Sequence, residues 1–374
     1  MITLSRTDQS VIGRWWWTVD RWTLATVFLI ATIGVVLIQA ASPPVAERIG
    51  LDNFHFIQHH VMMLIPTLII MVGVSLLSPK GVRRMAMIMF LLSLAGVALT
   101  LVSGVQIKGA TRWIHLPGLS VQPSEFIKPA FAVVAAWLFA QARHTSNVIY
   151  FGVCIVFYLM IVALLLMQPD LGMTFVVSAV WFGQFFIAGL PILLVAVLVV
   201  CGLSGLVGAY LLFPHVQSRV NRFLDPAAGD NYQVQRALDA FQHGGLWGTG
   251  PGQGTVKMTI PDAHADFIFA VAGEELGMLW CLFIVLLFGV VVMRSFARAY
   301  GEQSLFVMLG AAGLAMQFGL QACINMASSL HMMPTKGMTL PFISYGGSSL
   351  IALGIGVGML LALTRKRFGQ GDLP

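Results

Sequence analysis

The sequence is poor in charged residues. Only 10% of its 374 residues are Asp, Glu, Lys or Arg, whereas a soluble globular protein carries roughly 25%. So few charges cannot cover the surface of a water-soluble protein of this size, which excludes a cytosolic enzyme, a nucleic-acid-binding module and a disordered chain. The net charge of +6 therefore indicates basic residues that face anionic lipid, and no nucleic-acid partner is expected.

Cysteines are few, and nucleotide-binding motifs are missing. The four cysteines lie inside apolar runs with no local pairing, so they are interpreted as small buried hydrophobic residues, not as disulfides or metal ligands. The sequence has no Gly-Lys-Ser/Thr P-loop and no Asp-x-Asp pair that could hold the metal of a nucleotide sugar. A soluble nucleotide donor is therefore not expected, and a lipid-linked substrate fits better.

Long apolar runs are what the chain does contain. A membrane helix needs about 20 mostly apolar residues, and ten segments meet this requirement: 23–42, 59–78, 84–104, 125–142, 148–168, 171–188, 190–212, 267–293, 304–328 and 345–364. The fifth and sixth meet at Gln168-Pro169-Asp170 and are interpreted as two spans. The prediction is an all-α polytopic membrane protein, one domain over 1–374, with a long loop 213–266 between spans seven and eight.

The distribution of basic residues orients the chain. An even number of spans places the two tails, 1–22 and 365–374, on the same side of the membrane. Twelve of the 21 Lys and Arg residues lie in the tails and short loops of that side, and basic residues favour the cytoplasmic side. Both termini are therefore predicted to be cytoplasmic, and loop 213–266 extracytoplasmic.

The long loop carries two patterns. Val234, Ala237, Leu238 and Phe241 follow the spacing i, i+3, i+4, i+7, which predicts an amphipathic helix that lies in the membrane interface or ties the loop down. Six glycines follow within 244–254. They would let backbone amides approach an anion, or they would form a hinge.

Carboxylates cluster where the loop meets the eighth span. The segment Ile260–Phe267 contains Asp262, His264 and Asp266, and Glu274 and Glu275 follow within the span. Ionisable groups inside a membrane are costly and usually functional. Asp266 is placed at a helix N-terminus, on one face with small residues, where it is either a functional carboxylate or an N-cap. At least one of the two glutamates is expected to be the structural partner of a Lys or Arg.

Further polar residues fall on the same outer side. Glu125 and Lys128, three residues apart on a helix, are either functional or an internal ion pair. The others are Lys108, Arg112, Asp170, Arg219, Arg222 and Lys336, of which the arginines could equally be interfacial anchors. Together these groups suit a substrate with a hydroxyl to deprotonate and a phosphate to hold.

Several of these segments resemble a known family. Ala263-His264-Ala265-Asp266-Phe267 leading to Gly273-Glu274-Glu275-Leu276-Gly277 is similar to the signature of the SEDS proteins (shape, elongation, division and sporulation). Three more motifs match in order: Gln122-Pro-Ser-Glu125-Phe-x-x-Lys128, Gln168-Pro-Asp170-Leu-Gly and Pro341-Phe-Ile-Ser344-Tyr-Gly346-Gly347-Ser-Ser. Pro334-Thr335-Lys336-Gly337 resembles the division-specific members. Asp262 and Ala265 depart from the family, which commonly has Glu and Thr there.

The resemblance implies a peptidoglycan glycosyltransferase of the bacterial inner membrane, active at the division septum with its site facing the periplasm. It implies lipid II as substrate, and a class B penicillin-binding transpeptidase, other division proteins and membrane lipids as partners. Chain growth would invert the anomeric centre, with Asp266 as general base. The residues assigned to substrate binding are Lys108, Arg112, Glu125, Lys128, Asp170, Arg219, His264, Lys336 and Ser344. Structural support is assigned to Glu274, Glu275, Gly346 and Gly347. No resident metal is expected, and a divalent cation such as Mg²⁺ or Mn²⁺ is the one cofactor left open.

Two other classes of function remain compatible with the sequence. Ten spans with charges and Gly/Pro breaks also describe a lipid II flippase or another transporter, although a transporter should carry charges along a path through the membrane. A non-catalytic division scaffold would recruit its partner without needing Asp266.

Overall fold

The computed structural model describes residues 10–366, apart from 104, 108–109, 117–118, 190–191, 213, 225–231 and 335–336. Its α-helices are, in chain order from α1 to α14, Val11–Thr18, Arg21–Arg48, His55–Ser75, Pro79–Ser103, Pro123–Thr145, Val148–Met167, Leu171–Ile187, Ile192–Leu212, Pro214–Leu224, Tyr232–Gly244, Ile268–Glu275, Met278–Tyr300, Leu305–Ser329 and Gly347–Leu363. A short 3-10 helix, Val256–Thr259, lies between α10 and α11.

The membrane-spanning helices follow the apolar runs of the sequence. Among the described residues, seven helices are long and apolar enough to cross a membrane, namely α2 to α6, α12 and α13. Two shorter apolar helices, α7 and α14, occupy the sixth and tenth predicted spans, and α8 occupies the seventh. The prediction of a polytopic helical membrane protein is confirmed.

Helices α6 and α7 form an antiparallel hairpin around Gln168–Asp170. Asp170 is the N-cap of α7, and one of its carboxylate oxygens accepts the Met173 amide at 3.2 Å. Farther along the pair, the Tyr158 and Ser178 hydroxyl oxygens lie 2.9 Å apart. The Pro-Asp step therefore separates two spans, as the sequence predicts.

The prediction that the eighth span, 267–293, is a single helix is wrong. The span is divided into α11 and α12 at Gly277, which has φ +85°. A Cβ atom at Gly277 would collide with the amide of Gly248 and the carbonyl of Leu246. The amide of Met278 donates to the carbonyl of Gly245 at 2.9 Å, so the loop and the break are built together. The sequence does show two glutamates and two glycines within 273–277, but it does not show the loop backbone against which Gly277 packs.

The all-α prediction misses one small sheet. Strands β1 (Val105–Ile107), β2 (Ala110–Leu116) and β3 (Leu119–Val121) form an antiparallel meander between α4 and α5. Its residues include the β-branched and aromatic types that favour strands. Strands of three to seven residues are too short to show a clear alternation of apolar and polar residues in the sequence, and they lie between apolar spans of about 20 residues.

The interior of the bundle is formed by α5 and α13, the most buried of the seven long spans. Helix α3 packs along α14, where Gly354 and Gly358 lie against the Thr67 and Met71 backbone. At one end of the molecule, the amide of Lys366 donates to the carbonyl of Thr18 at 3.0 Å. The two described chain ends therefore lie on the same face, called here the tail face.

Candidate active site

Asp266 lies in a stretch of turns, 261–267, that leads into α11. The amides of Ala265 and Asp266 donate to the carbonyl of Asp262 at 3.0 and 3.1 Å, and Asp262 has φ +52°. Helix α11 begins only at Ile268, and its N-cap makes no side-chain capping bond. The predicted placement of Asp266 on a helix face is therefore wrong. Its half-buried side chain stands just before the helix.

A second segment, 337–346, holds this turn in place. The amide of Tyr345 donates to the carbonyl of His264 at 2.9 Å. The Ser344 hydroxyl donates to the carbonyl of Ala265 at 2.6 Å and accepts the amide of Leu340 at 2.7 Å. Because Ser344 is buried and uses its hydroxyl within the protein, its contribution in this structure is to join the two segments.

Asn325 adds a third tie between the same segments. Its Nδ2 donates to the carbonyl of Asp266 at 3.0 Å and to that of Met338 at 2.6 Å. The Asp266 carboxylate then lies against Gly337, where an added Cβ atom would be 3.1 Å from Oδ2. A half-exposed carboxylate on a fixed backbone can act as a base toward a bound hydroxyl.

His264 is held among aromatic rings beside Asp266. Its ring centroid lies 4.1 Å from that of Phe56 and 5.3 Å from that of Tyr345. Burial lowers the pKa of His264 to about 4, and the charge of Arg48 adds to this effect while Asp262 opposes it. The imidazole is therefore neutral at pH 7.

Glu125 and Lys128 form a buried ion pair, with Oε2 and Nζ 2.9 Å apart. Lys128 Nζ also donates to Gln321 Oε1 at 2.8 Å, and Gln321 Nε2 donates to the carbonyl of Thr339 at 3.1 Å. The Thr339 and Ser349 hydroxyls lie 2.7 Å apart. This chain of contacts connects α5 to the 337–346 segment, so the pair supports the same region as Asp266.

Arg112 binds the α6–α7 turn from strand β2. Its Nη1 lies 3.3 Å from Asp170 Oδ2. Its Nε and Nη2 donate to the carbonyls of Gln168 and Pro169 at 3.2 and 2.7 Å. Arg112 and Asp170 are thus brought together at the α6–α7 turn.

Glu274 accepts hydrogen bonds from the backbone of the long loop. Its Oε1 accepts the amides of Thr255 and Val256, and its Oε2 accepts that of Lys257, each at 2.7 Å. His243 Nδ1 lies 3.0 Å from Oε1. Backbone amides at the end of the glycine run thus do bind an anion, but the anion is the protein's own carboxylate.

Glu275 forms a buried ion pair with Lys257 Nζ, which also donates to the carbonyl of Ala40 at 3.0 Å. The pair therefore connects α11, the long loop and α2. Farther along α2, Arg48 Nη2 donates to the carbonyl of Ile260 at 2.7 Å. These contacts fix the long loop over the end of α2, next to the Asp266 turn.

The predicted amphipathic helix of the long loop forms as α10. Val234 and Ala237 are buried, and the Phe241 ring packs on Phe269 of α11 at 5.7 Å between centroids. A Cβ atom at Gly244 would collide with the backbone of Gly273. The apolar face of α10 thus packs on α11. Of the two roles predicted for this helix, this contact fits the one in which it ties the long loop down.

Three assigned residues cannot be placed. Lys108 and Lys336 lie outside the described residues, as does the side chain of Arg219.

Gly346 and Gly347 begin α14, and a Cβ atom at Gly346 would lie 3.0 Å from Thr339 Cγ2. The absence of a side chain at Gly346 therefore allows Thr339 to lie close to the start of α14.

Sequence reasoning missed several residues of this region. On α13, Gln317, Gln321 and Asn325 recur every four residues inside an apolar span, and this polar row was a readable signal. The i, i+4 pair His55 and His59, with ring centroids 4.5 Å apart, was another. No such pattern in the sequence points to Lys257, because its position is set by the short 3-10 helix in which it lies.

Among the described residues, no group of three or more His, Cys, Asp or Glu side chains is placed to hold a metal ion. The residues present therefore do not fit a protein-only site for a divalent cation.

Comparison with known sequences gives a match over nearly the whole chain. Residues 20–368 match the model of the FtsW/RodA/SpoVE family, described as cell cycle proteins. A relative from Caulobacter vibrioides, named probable peptidoglycan glycosyltransferase FtsW, is 43% identical over 366 residues, covering 98% of this chain and 94% of its own. A relative of the same name from Tolumonas auensis is 35% identical, covering 93% and 92%.

Solved structures give similar results. A chain from the structure of a peptidoglycan synthase complex that coordinates polymerization and crosslinking is 30% identical and has a TM-score of 0.77. The match covers 92% of this chain and 97% of the other. The rod shape determining protein RodA from Thermus thermophilus is 29% identical with a TM-score of 0.68, covering 93% and 97%.

Proposed function

Because this chain belongs to the FtsW/RodA/SpoVE family of cell cycle proteins, we propose that it is a peptidoglycan glycosyltransferase that polymerises lipid II into glycan strands during septal cell-wall synthesis. The observation that carries the proposal is the half-exposed Asp266, whose backbone is fixed against the 337–346 segment. The names of the Caulobacter and Tolumonas relatives support the same activity.

Asp266 acts as the general base in the proposed reaction. Its carboxylate takes the proton from the 4-hydroxyl of the acceptor GlcNAc, and that oxygen bonds to the anomeric carbon of the donor. The bond between this carbon and the diphosphate breaks, and the polyprenyl diphosphate leaves. Direct displacement converts an α linkage into a β linkage, so the reaction inverts the anomeric centre.

The surroundings of Asp266 favour this role. An exposed aspartate has a pKa of about 4 and is a weak base toward a hydroxyl; burial makes a carboxylate more basic, and a nearby helix N-terminus opposes this effect. The neighbouring His264 is uncharged at pH 7 because burial lowers its pKa. It therefore adds no cation that would reduce the basicity of Asp266.

Stabilisation of the leaving diphosphate is assigned to basic side chains. Lys108, Arg112, Lys128, Arg219 and Lys336 are the candidates for this role, and Lys128 would have to leave its buried ion pair with Glu125 to take it. Lys336 precedes Gly337 in the sequence, and Gly337 lies against the Asp266 carboxylate. A divalent cation is assigned no step, since the described side chains do not form a site for one.

The proposed location is the bacterial inner membrane at the septum, with both termini in the cytoplasm and the site on the periplasmic side. Basic residues gather on the tail face, among them Arg14, Arg21, Arg294, Arg298 and Arg365, which supports this orientation. The proposed partners are a class B penicillin-binding transpeptidase and other division proteins. The similar chain from a peptidoglycan synthase complex supports the first of these.

Buried charge on the tail face is paired within the protein. Asp20 is buried there, and its carboxylate binds Arg294 Nε at 2.7 Å and Arg298 Nε at 3.1 Å. Arg298 Nη1 also donates to the carbonyl of Thr364 at 3.2 Å. These contacts tie together the start of α2, the end of α12 and the end of α14.

The test is glycan polymerisation by the protein purified with its cognate transpeptidase. Asp266→Asn keeps the size of the side chain and removes the base, so we expect the rate to fall roughly 10²–10⁴-fold. Asp239→Asn is the matched control, because Asp239 is exposed on α10, where it pairs with Arg236. Lipid II is supplied, and strand length is measured on a gel.

The outcomes separate the alternatives. Strands from the wild type and the control but not from Asp266→Asn support the proposal. Equal synthesis by all three proteins would support the polymerase activity and contradict the role of Asp266 as its general base. No synthesis by any of them would overturn the proposed activity in favour of transport or scaffolding. A scaffold should still support division with Asp266→Asn.

A further inference from the structure

Asn325 is a buried amide in the middle of a membrane-spanning helix. Its side chain is 1% exposed, and both of its described donor contacts are to backbone carbonyls. An amide in such a position is costly unless it is hydrogen-bonded. A leucine would fill the same space on α13 without this cost, so the two bonds are what the amide contributes.

The two bonds connect segments that are far apart in the chain. One acceptor is the carbonyl of Asp266, 59 residues from Asn325, and the other is that of Met338, 13 residues away. Asp266 carries the proposed base, and Met338 follows Gly337, against which the carboxylate lies. The amide of Asn325 therefore sets the spacing between the base and the segment beside it.

Two further ties between these segments are made at the residues before Asp266. Ser344 binds the carbonyl of Ala265, and the amide of Tyr345 binds the carbonyl of His264. Loss of Asn325 would therefore remove the tie at the Asp266 carbonyl and leave those at Ala265 and His264 in place. A displacement of about 1 Å in a reacting group can reduce a rate about 10²-fold.

We propose that Asn325 is a positioning residue of the glycosyltransferase reaction, which fixes the Asp266 carboxylate relative to the 337–346 segment through its two carbonyl bonds. This inference rests on the proposed function. It predicts a defect in the chemical step, with little change in lipid II binding or in the stability of the fold.

The test compares two substitutions on the same face of α13. Asn325→Leu keeps the approximate volume and removes both donor bonds. Gln317→Leu is the matched control, because Gln317 is also a buried amide and lies eight residues earlier, about 12 Å away along the helix. Each protein is purified with its transpeptidase, and kcat and KM for lipid II are measured together with the thermal unfolding midpoint.

We expect Asn325→Leu to reduce kcat about 10- to 100-fold, with KM changed less than about threefold. Its unfolding midpoint should match that of Gln317→Leu, which should polymerise at nearly the wild-type rate. Asn325→Ser provides a second variant in case the leucine protein does not fold. Serine keeps one short donor, so its kcat should lie between those of the wild type and the leucine variant.

Two results would overturn the inference. The first is a wild-type kcat for Asn325→Leu, or for Asn325→Ser if the leucine variant does not fold. The second is a raised KM with unchanged kcat, which would assign Asn325 to substrate binding. Failure of the proposed function looks different, because the wild-type protein itself would then make no glycan strands.

Discussion

At His264, burial determines the protonation state of the side chain. The ring is 7% exposed between Phe56 and Tyr345, and its pKa is lowered to about 4. In the unfolded chain the same imidazole has a pKa of about 6.5. Between these two values, the unfolded state binds a proton that the folded state does not.

This difference predicts a pH dependence of stability. Because the folded pKa is lowered, protonation of the unfolded state destabilises the fold as the pH falls from about 6.5 to about 4. His264→Phe keeps an aromatic ring and removes this effect. From pH 7 to pH 5, the variant should lose about 2 kcal/mol less of its unfolding free energy than the wild type does. The measurement is the unfolding midpoint in detergent at both pH values.

The exposed His144 provides the control. His144→Phe is measured under the same conditions and shows the effect of replacing an exposed histidine by phenylalanine. An equal loss of stability in His264→Phe and the wild type would contradict a buried neutral imidazole at position 264.

Some site residues could be predicted from the sequence and some could not. Asp266 and His264 are found through their motif, which also predicts that a carboxylate and a histidine stand at the start of a span. Asn325 was within reach, since a polar row in an apolar helix has few structural explanations. The partners of Glu274 could not be foreseen, because three backbone amides of an irregular loop leave no side-chain pattern.

At the scale of elements, the α11–α12 break depends on Gly277. A side chain there would have to adopt φ +85° and would collide with the backbone at Gly248. Gly277→Ala should therefore destabilise the protein by roughly 2 kcal/mol or more. Gly289→Ala, on an open face of α12 with no atom near its added Cβ, should be neutral or stabilising by up to about 1 kcal/mol. Thermal unfolding of the two variants measures the difference.

If the two alanine variants unfold at the same temperature, the break at Gly277 does not need glycine. The positions of the spans were predictable because an apolar run of about 20 residues has few other uses. The break and the β1–β3 meander were not. Both are set by contacts with segments distant in the sequence, such as the loop around Gly248, and local composition does not report those contacts.

At the scale of the whole molecule, the candidate site and the tail face lie at opposite ends of α2. Asp20 begins this helix and binds Arg294 and Arg298, while Arg48 ends it and binds the Ile260 carbonyl beside the Asp266 turn. If the two ends are independent, disturbing the first should affect stability alone.

Asp20→Asn tests this independence. Asparagine can still cap α2, but it leaves the two partly exposed arginines without their counter-ion, at a cost of roughly 1–2 kcal/mol. We expect a lower unfolding midpoint and an unchanged polymerisation rate per folded molecule. A fall in that rate, with the midpoint unchanged, would instead show that the tail face is coupled to the site.

The length of α2 also bears on the position of the candidate site relative to the hydrocarbon core of the membrane. Its 28 residues span about 42 Å at 1.5 Å per residue, whereas the hydrocarbon core is about 30 Å thick. With Asp20 at one boundary of the core, the opposite end of the helix rises about 12 Å above the other. With α2 along the membrane normal, Arg48 and the loop bound to it would lie at the level of the headgroups. The proposed substrate, a sugar on a membrane-anchored diphosphate, would be presented at this level, so the proposed reaction would not require the lipid to leave the bilayer.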